Sequence, residues 1–181
     1  MLRAIFGFIF IHFVFCRINV AKHPHNVTIT NATIIIEDIK ELGWEVWCKF
    51  QPNSYDCSGR GVIKTRFYYD LKMEGCKTAD FGGCRYNSNQ FHSLDECNEV
   101  CGDGGLQQIT ANLSEKVFCR FQHDFGTCND YYPMWYFDMS TRACRGFSYS
   151  GCGGNHNRFP NSQMCNAVCG AAIEFLTPKD E

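Results

Sequence analysis

The chain opens with an apolar block and has no second one like it. After Met1-Leu2-Arg3, residues 4–16 are apolar except for Gly7 and His12. One positive charge followed by about a dozen apolar residues is the layout of a secretory signal, and the run is shorter than the ~18 residues that cross a bilayer. Val14 and Cys16 suit the positions flanking a cleavage site, which makes residues 1–16 a signal peptide; a cut after Ala21 is the alternative. Further on, the Thr- and Ile-rich stretch 27–36 reads as extended, whereas 34–42 reads equally well as one or two helical turns.

The later pattern is more regular. Phe67-Tyr68-Tyr69-Asp70 and Trp135-Tyr136-Phe137-Asp138 are aromatic runs in a strand-like context, and each is followed by a second alternating segment. Each pair predicts a two-stranded hairpin, with turns at Lys72–Gly75 and Ser140–Arg142. A short helix follows each hairpin: Ser93-Leu94-Asp95-Glu96 supplies a serine cap and an acidic first turn, and Asn161-Ser162-Gln163 opens the second. Gly102 and Gly170 stand where stop signals belong. Residues 102–118, with Gly104-Gly105, read as a linker.

This alternation of elements is a repeat, and the cysteines prove it. Of 13 cysteines in 181 residues, Cys16 leaves with the signal and twelve remain. They fall into two sixes, with intervening lengths of 8, 18, 7, 12 and 3 and then 8, 15, 7, 12 and 3. Gly83-Cys84 and Gly151-Cys152 match, as do Asn89-Gln90-Phe91 and Asn157-Arg158-Phe159. Residues 48–101 and 119–169 are therefore two copies of one module, with 17–47 before them and a tail, 170–181, behind. So many cysteines in small units point to disulfides and an oxidising compartment. No C-x2-C pair favours zinc, and His23-Pro24-His25 lacks a third ligand, so neither metal nor cofactor is expected. Sequons at Asn26, Asn31 and Asn112 add glycosylation to a secreted reading. A net charge of −2 excludes nucleic-acid binding by bulk charge, and no catalytic motif is present.

Both copies resemble the Kunitz (pancreatic trypsin inhibitor) domain, on C-x8-C, C-x7-C-x12-C-x3-C, the aromatic run, Phe81-Gly82-Gly83-Cys84 and Tyr149-Ser150-Gly151-Cys152-Gly153-Gly154-Asn155. The resemblance covers roughly 105 of 181 residues. It implies a small disulfide-rich α+β fold: two tandem modules, each a twisted hairpin with a short C-terminal helix and three disulfides. The pairing it implies is Cys48–Cys101, Cys57–Cys84, Cys76–Cys97, Cys119–Cys169, Cys128–Cys152 and Cys144–Cys165. Spacing alone leaves fifteen pairings for each set of six open.

The resemblance also implies a function: a monomeric extracellular inhibitor that blocks a serine protease with a rigid, substrate-like loop, neither entering membranes nor binding nucleic acid. The residue after the second cysteine fills the protease's specificity pocket in this family, and a small residue follows it. In module 2 these are Asn129 and Asp130, a poor pair, because desolvating the carboxylate costs several kcal/mol; Met134 also stands where an arginine is usual. In module 1 the loop reads Ser58-Gly59-Arg60-Gly61, and its three extra residues fall between Cys57 and Arg66. Arg60-Gly61 suits a trypsin-like pocket, yet lies two positions late in a loop expected to be loose and cut as a substrate. Arg60 as an ordinary exposed arginine is an equal reading. A non-inhibitory module acting on a channel, receptor or matrix protein is the alternative function.

Overall fold

The computed structural model describes residues 42–84, 87–107, 109 and 112–174, together with the backbone of Ile35–Ile36. The signal segment and the sequons at Asn26 and Asn31 lie outside the described residues. In chain order the elements are β1 (Ile35–Ile36), α1 (Trp44–Trp47), β2 (Lys64–Asp70), β3 (Gly75–Phe81) and α2 (Leu94–Cys101). A 3-10 turn, Gly104–Leu106, leads to β4 (Asn112–Leu113). Module 2 follows as α3 (Glu115–Phe118), β5 (Tyr132–Asp138), β6 (Ala143–Tyr149), α4 (Ser162–Cys165), a π turn over Asn166–Gly170 and α5 (Ala171–Glu174).

Each hairpin is antiparallel, paired from Lys64↔Phe81 to Asp70↔Gly75 and from Tyr132↔Tyr149 to Asp138↔Ala143. The same device turns both. Asp70 accepts from the amide of Met73 at 2.8 Å, and Asp138 from those of Ser140 and Thr141 at 2.9 and 3.2 Å. The other carboxylate oxygen pairs with the return strand, Asp70 with Lys77 at 2.9 Å and Asp138 with Arg145 at 2.8 Å.

The six disulfides join Cys48–Cys101, Cys57–Cys84 and Cys76–Cys97, then Cys119–Cys169, Cys128–Cys152 and Cys144–Cys165. Each contributes roughly 2–4 kcal/mol in the loop-entropy picture, which compensates for cores too small to hold ~55 residues alone. Those cores are built on the cysteines themselves, with Tyr69 and Phe91 in module 1 and Phe137, Phe159 and Ile173 in module 2. A buried amide knits each core to its backbone. Asn89 donates to the carbonyls of Cys48, Phe50 and Tyr69, and Asn157 to those of Cys119, Phe121 and Phe137.

Ser93 and Asn161 cap α2 and α4 as read, accepting from the amides of Glu96 and Met164. Gly102 ends α2, but Gly170 does not end its helix. The backbone passes through the π turn into α5, because Ala172 and Ile173 are buried, at 6% and 1% exposure, and only continued helix carries them inward. The first residues of the expected tail thus belong to module 2.

A third apolar cluster joins the modules. Leu42, Val46 and Phe50 meet Leu113, Val117 and Phe121, with Trp47, Ile109 and Phe118 packed around them. The two triplets occupy equivalent places around Cys48 and Cys119, so the packing is nearly two-fold symmetric. Phe50 and Phe121 face each other in an antiparallel bridge, flanked by Gln51 N–H to Arg120 O and Gln122 N–H to Lys49 O, both 2.8 Å. The stretch read as a linker is therefore partly core: Leu113 and Val117 lie inside it, and β4 pairs in parallel with β1.

Candidate functional site

Ser58, Gly59, Arg60 and Gly61 are all exposed, beyond the Cys57–Cys84 bridge. The inserted loop is closed by hydrogen bonds. Asp56 gathers it, one carboxylate oxygen accepting from Ser58 N–H at 3.0 Å and Ser58 Oγ at 2.6 Å, the other from Gly61 N–H at 2.6 Å. The Ser58 hydroxyl, together with the Gly61, Ser58 and Gly83 amides, holds the Asp56 carboxyl below the usual carboxylate range. Gly59 and Gly61 take φ of 64° and 67°, conformations that glycine adopts without penalty. Arg60 therefore sits at the head of a closed turn, not within an extended strand. Gly82 supports this from the neighbouring loop: its amide donates to Asn53 O at 2.9 Å, and a β-carbon there would collide with the Tyr55 carbonyl.

The module 2 loop is held differently. Thr127 N–H donates to Cys152 O at 3.0 Å, Asp130 N–H to Ser150 O at 3.1 Å, and Cys128 N–H to Ser150 Oγ at 3.0 Å. Asn129 and Asp130 project into solvent beside Tyr131, which is 87% exposed. The Asp130 carboxylate is thus solvated, and any partner closing on this loop must strip that water.

Sequence reasoning missed what stands behind the loops. Each entry segment lies against the other module's hairpin turn. Ser54 N–H donates to Ser140 Oγ at 3.0 Å, Ser140 Oγ donates to Pro52 O at 3.2 Å, and the Arg142 guanidinium lies 4.6 Å over the Tyr55 ring. In the equivalent place on the other side, Lys72 Nζ lies 4.7 Å over Phe125. His123 stacks on Tyr136 at 4.4 Å and meets Phe125 and Phe147 edge-on. Burial, with Lys72 close by, pushes the His123 pKa down. Gln51 and Gln122 did leave a signal, recurring three residues after the first cysteine of each copy; Asp56, ahead of Cys57, left none.

Asn112 is exposed, in register with Ile35 across the β1–β4 pair. Among the described residues no group of three or more His, Cys, Asp or Glu is placed to hold a metal ion, and no helix is long and apolar enough to cross a membrane.

The family model of the Kunitz/bovine pancreatic trypsin inhibitor domain matches twice, over residues 47–102 and 118–170. The chain belongs to the Kunitz family. The chain is also similar to amblin from Amblyomma hebraeum, 34% identical over 128 residues covering 71% of this chain and 70% of amblin. Actinia tenebrosa protease inhibitors are 33% identical over 122 residues, 67% of this chain and 40% of theirs. Tissue factor pathway inhibitor 2 from Bos taurus is 31% identical over 144 residues, 77% of this chain and 56% of its own. The chain thus spans about half the length of the last two. Two of these relatives are named as inhibitors.

Proposed function

We propose that this chain is a secreted Kunitz-type inhibitor of an extracellular serine protease with trypsin-like preference, and that module 1 makes the contact through Ser58, Gly59, Arg60 and Gly61. The observation that carries the reading is the Asp56 clasp. A loop tied by a disulfide at its base and by a carboxylate at its centre presents one exposed arginine with little conformational freedom left to lose, and such preorganisation is a main source of inhibitor affinity. One relative named as protease inhibitors and another named as a pathway inhibitor support the same class. Secretion is supported by the six disulfides and by the exposed sequon at Asn112.

A second reading, a non-inhibitory binding module, is favoured by two observations: the turned backbone about Arg60 and the solvated Asp130 in the other loop. The test is inhibition of trypsin-, chymotrypsin- and elastase-like enzymes by the full chain and its Arg60→Ala variant. The full chain is the right material because the modules share a core. Inhibition of the trypsin-like enzyme that Arg60→Ala abolishes supports the inhibitor; no inhibition at micromolar concentration supports the binding module.

A further inference from the structure

Module 2 packs against the base of the module 1 loop. The Cys57–Cys84 bridge and Asn53 line one small surface pocket together with Arg120, Met139, Arg142 and Ile173 of module 2. The β5–β6 turn is itself held: Asp138 binds the amides of Ser140 and Thr141 and the side chain of Arg145, and Arg142 sits at φ 54°. That turn delivers two groups onto the loop entry. The Ser140 hydroxyl bridges Ser54 N–H and Pro52 O, and the Arg142 guanidinium covers Tyr55. Tyr55 is followed directly by Asp56, whose carboxylate shapes the turn that carries Arg60.

We propose that Ser140 and Arg142 are positioning residues for the module 1 loop, so that module 2 sets the shape of the surface module 1 presents. The proposal rests on the reading of that loop as the contact surface, but its geometry is independent of any protease. It also gives module 2 a task that requires neither Asn129 nor Asp130. The equivalent contact of Lys72 with Phe125 extends the same logic to the other loop, with the roles of the modules reversed.

The test uses the full oxidised chain carrying Ser140→Ala and Arg142→Asn; asparagine tolerates the left-handed backbone at that position. Amide exchange at Ser54, Ser58 and Gly61 is expected to quicken about threefold to tenfold, and trypsin to cut after Arg60 faster by a similar factor, since cleavage follows the open population. Amides within β5 and β6 are expected to stay unchanged, and Arg142→Lys to restore part of the protection. Unchanged exchange and cleavage over 54–61 overturns the proposal. So does loosening that spreads equally through β5 and β6, because the turn then serves only its own module. Trypsin inhibition measured in parallel separates the two readings: loosening of the loop in a chain that inhibits nothing removes the inhibitor and keeps the positioning role.

Discussion

Gln51 and Gln122 are exchanged between the two modules. Gln51 donates to Phe137 O at 2.8 Å and Phe121 O at 3.3 Å, and accepts from Met139 N–H at 3.2 Å. Gln122 repeats this in the other direction, donating to Tyr69 O at 2.8 Å and Phe50 O at 3.2 Å, and accepting from Leu71 N–H at 3.1 Å. Each side chain completes its neighbour's hairpin, beside the asparagine that the neighbour supplies for itself. Among the described residues the tandem thus has three cores, one of them shared between the modules.

One consequence concerns cooperativity. The oxidised chain is expected to unfold in a single calorimetric transition. Gln51→Ala, which strands the Met139 amide, is expected to cost about 1–3 kcal/mol. Phe121→Ala, at the centre of the shared cluster, is expected to cost about 3–5 kcal/mol and to split the transition in two. Two separate transitions in the unaltered chain would contradict the shared core.

Asp56 makes the loop acid-sensitive. Its carboxyl is held below the ordinary range, so the clasp is fully present above that range and is lost as pH falls through the depressed value. The chemical shift of the Gly61 amide is expected to be flat from about pH 7 to pH 5 and to move only below about pH 4. Asp56→Ala is expected to remove that transition and to speed tryptic cleavage after Arg60 several-fold at neutral pH. A Gly61 amide that ignores both acid and substitution would exclude the clasp.

Tyr69 is buried at 1% exposure, and among the described residues its hydroxyl has no hydrogen-bond partner. Module 2 carries Phe137 in the equivalent place. Tyr69→Phe is therefore expected to leave stability unchanged or raise it by about 1 kcal/mol, read as a denaturation midpoint; a clear loss would reveal a partner for the hydroxyl.

His123 gives a second pH window, of opposite chemistry. Burial holds its folded pKa below 6.5, and Lys72 adds to this, while Asp70, Asp124 and Asp138 oppose it. The unfolded chain then takes up a proton first, so stability falls as pH drops below about 6.5 until the folded form also protonates. Urea midpoints at pH 7.5 and 5.5 are expected to differ more for the unaltered chain than for His123→Phe.

Module 2 offers a gain-of-function test of the family rule. Replacing Asn129 by Arg and Asp130 by Gly supplies a basic pocket residue and removes the carboxylate that docking must desolvate. Trypsin inhibition is expected to tighten by about a hundredfold or more, as the several kcal/mol of that desolvation are recovered. No gain would mean that the Asn129–Asp130 loop has the wrong shape as well as the wrong side chains.

Local order was legible in the residues. Alternating aromatics forecast both hairpins, Ser93 and Asn161 forecast both caps, and the repeated cysteine intervals forecast two modules, because each signal lies within a few residues of the structure it produces. The disulfide pairing came through the family likeness, since spacing alone favoured no partner for any cysteine. The extra residues after Cys57 forecast a loose loop, and the structure shows a closed one, because one aspartate outside the insertion supplies acceptors for two of its amides.

Sequence determined the scaffold: its pattern gave two hairpin-and-helix modules, and the family likeness gave the six bridges and the two loops they present. Tertiary structure decided how those modules meet and what shape the first loop takes. Leu42, Val46 and Phe50 are apolar at helical spacing, as are Leu113, Val117 and Phe121, but that pattern states only that a face is buried. Which face it meets depends on matching two surfaces about seventy residues apart, and so does the placement of Ser140 and Arg142 on Tyr55. Gly170 carries the same lesson: a glycine that marks a stop in isolation is passed over when Ile173 has a core to enter.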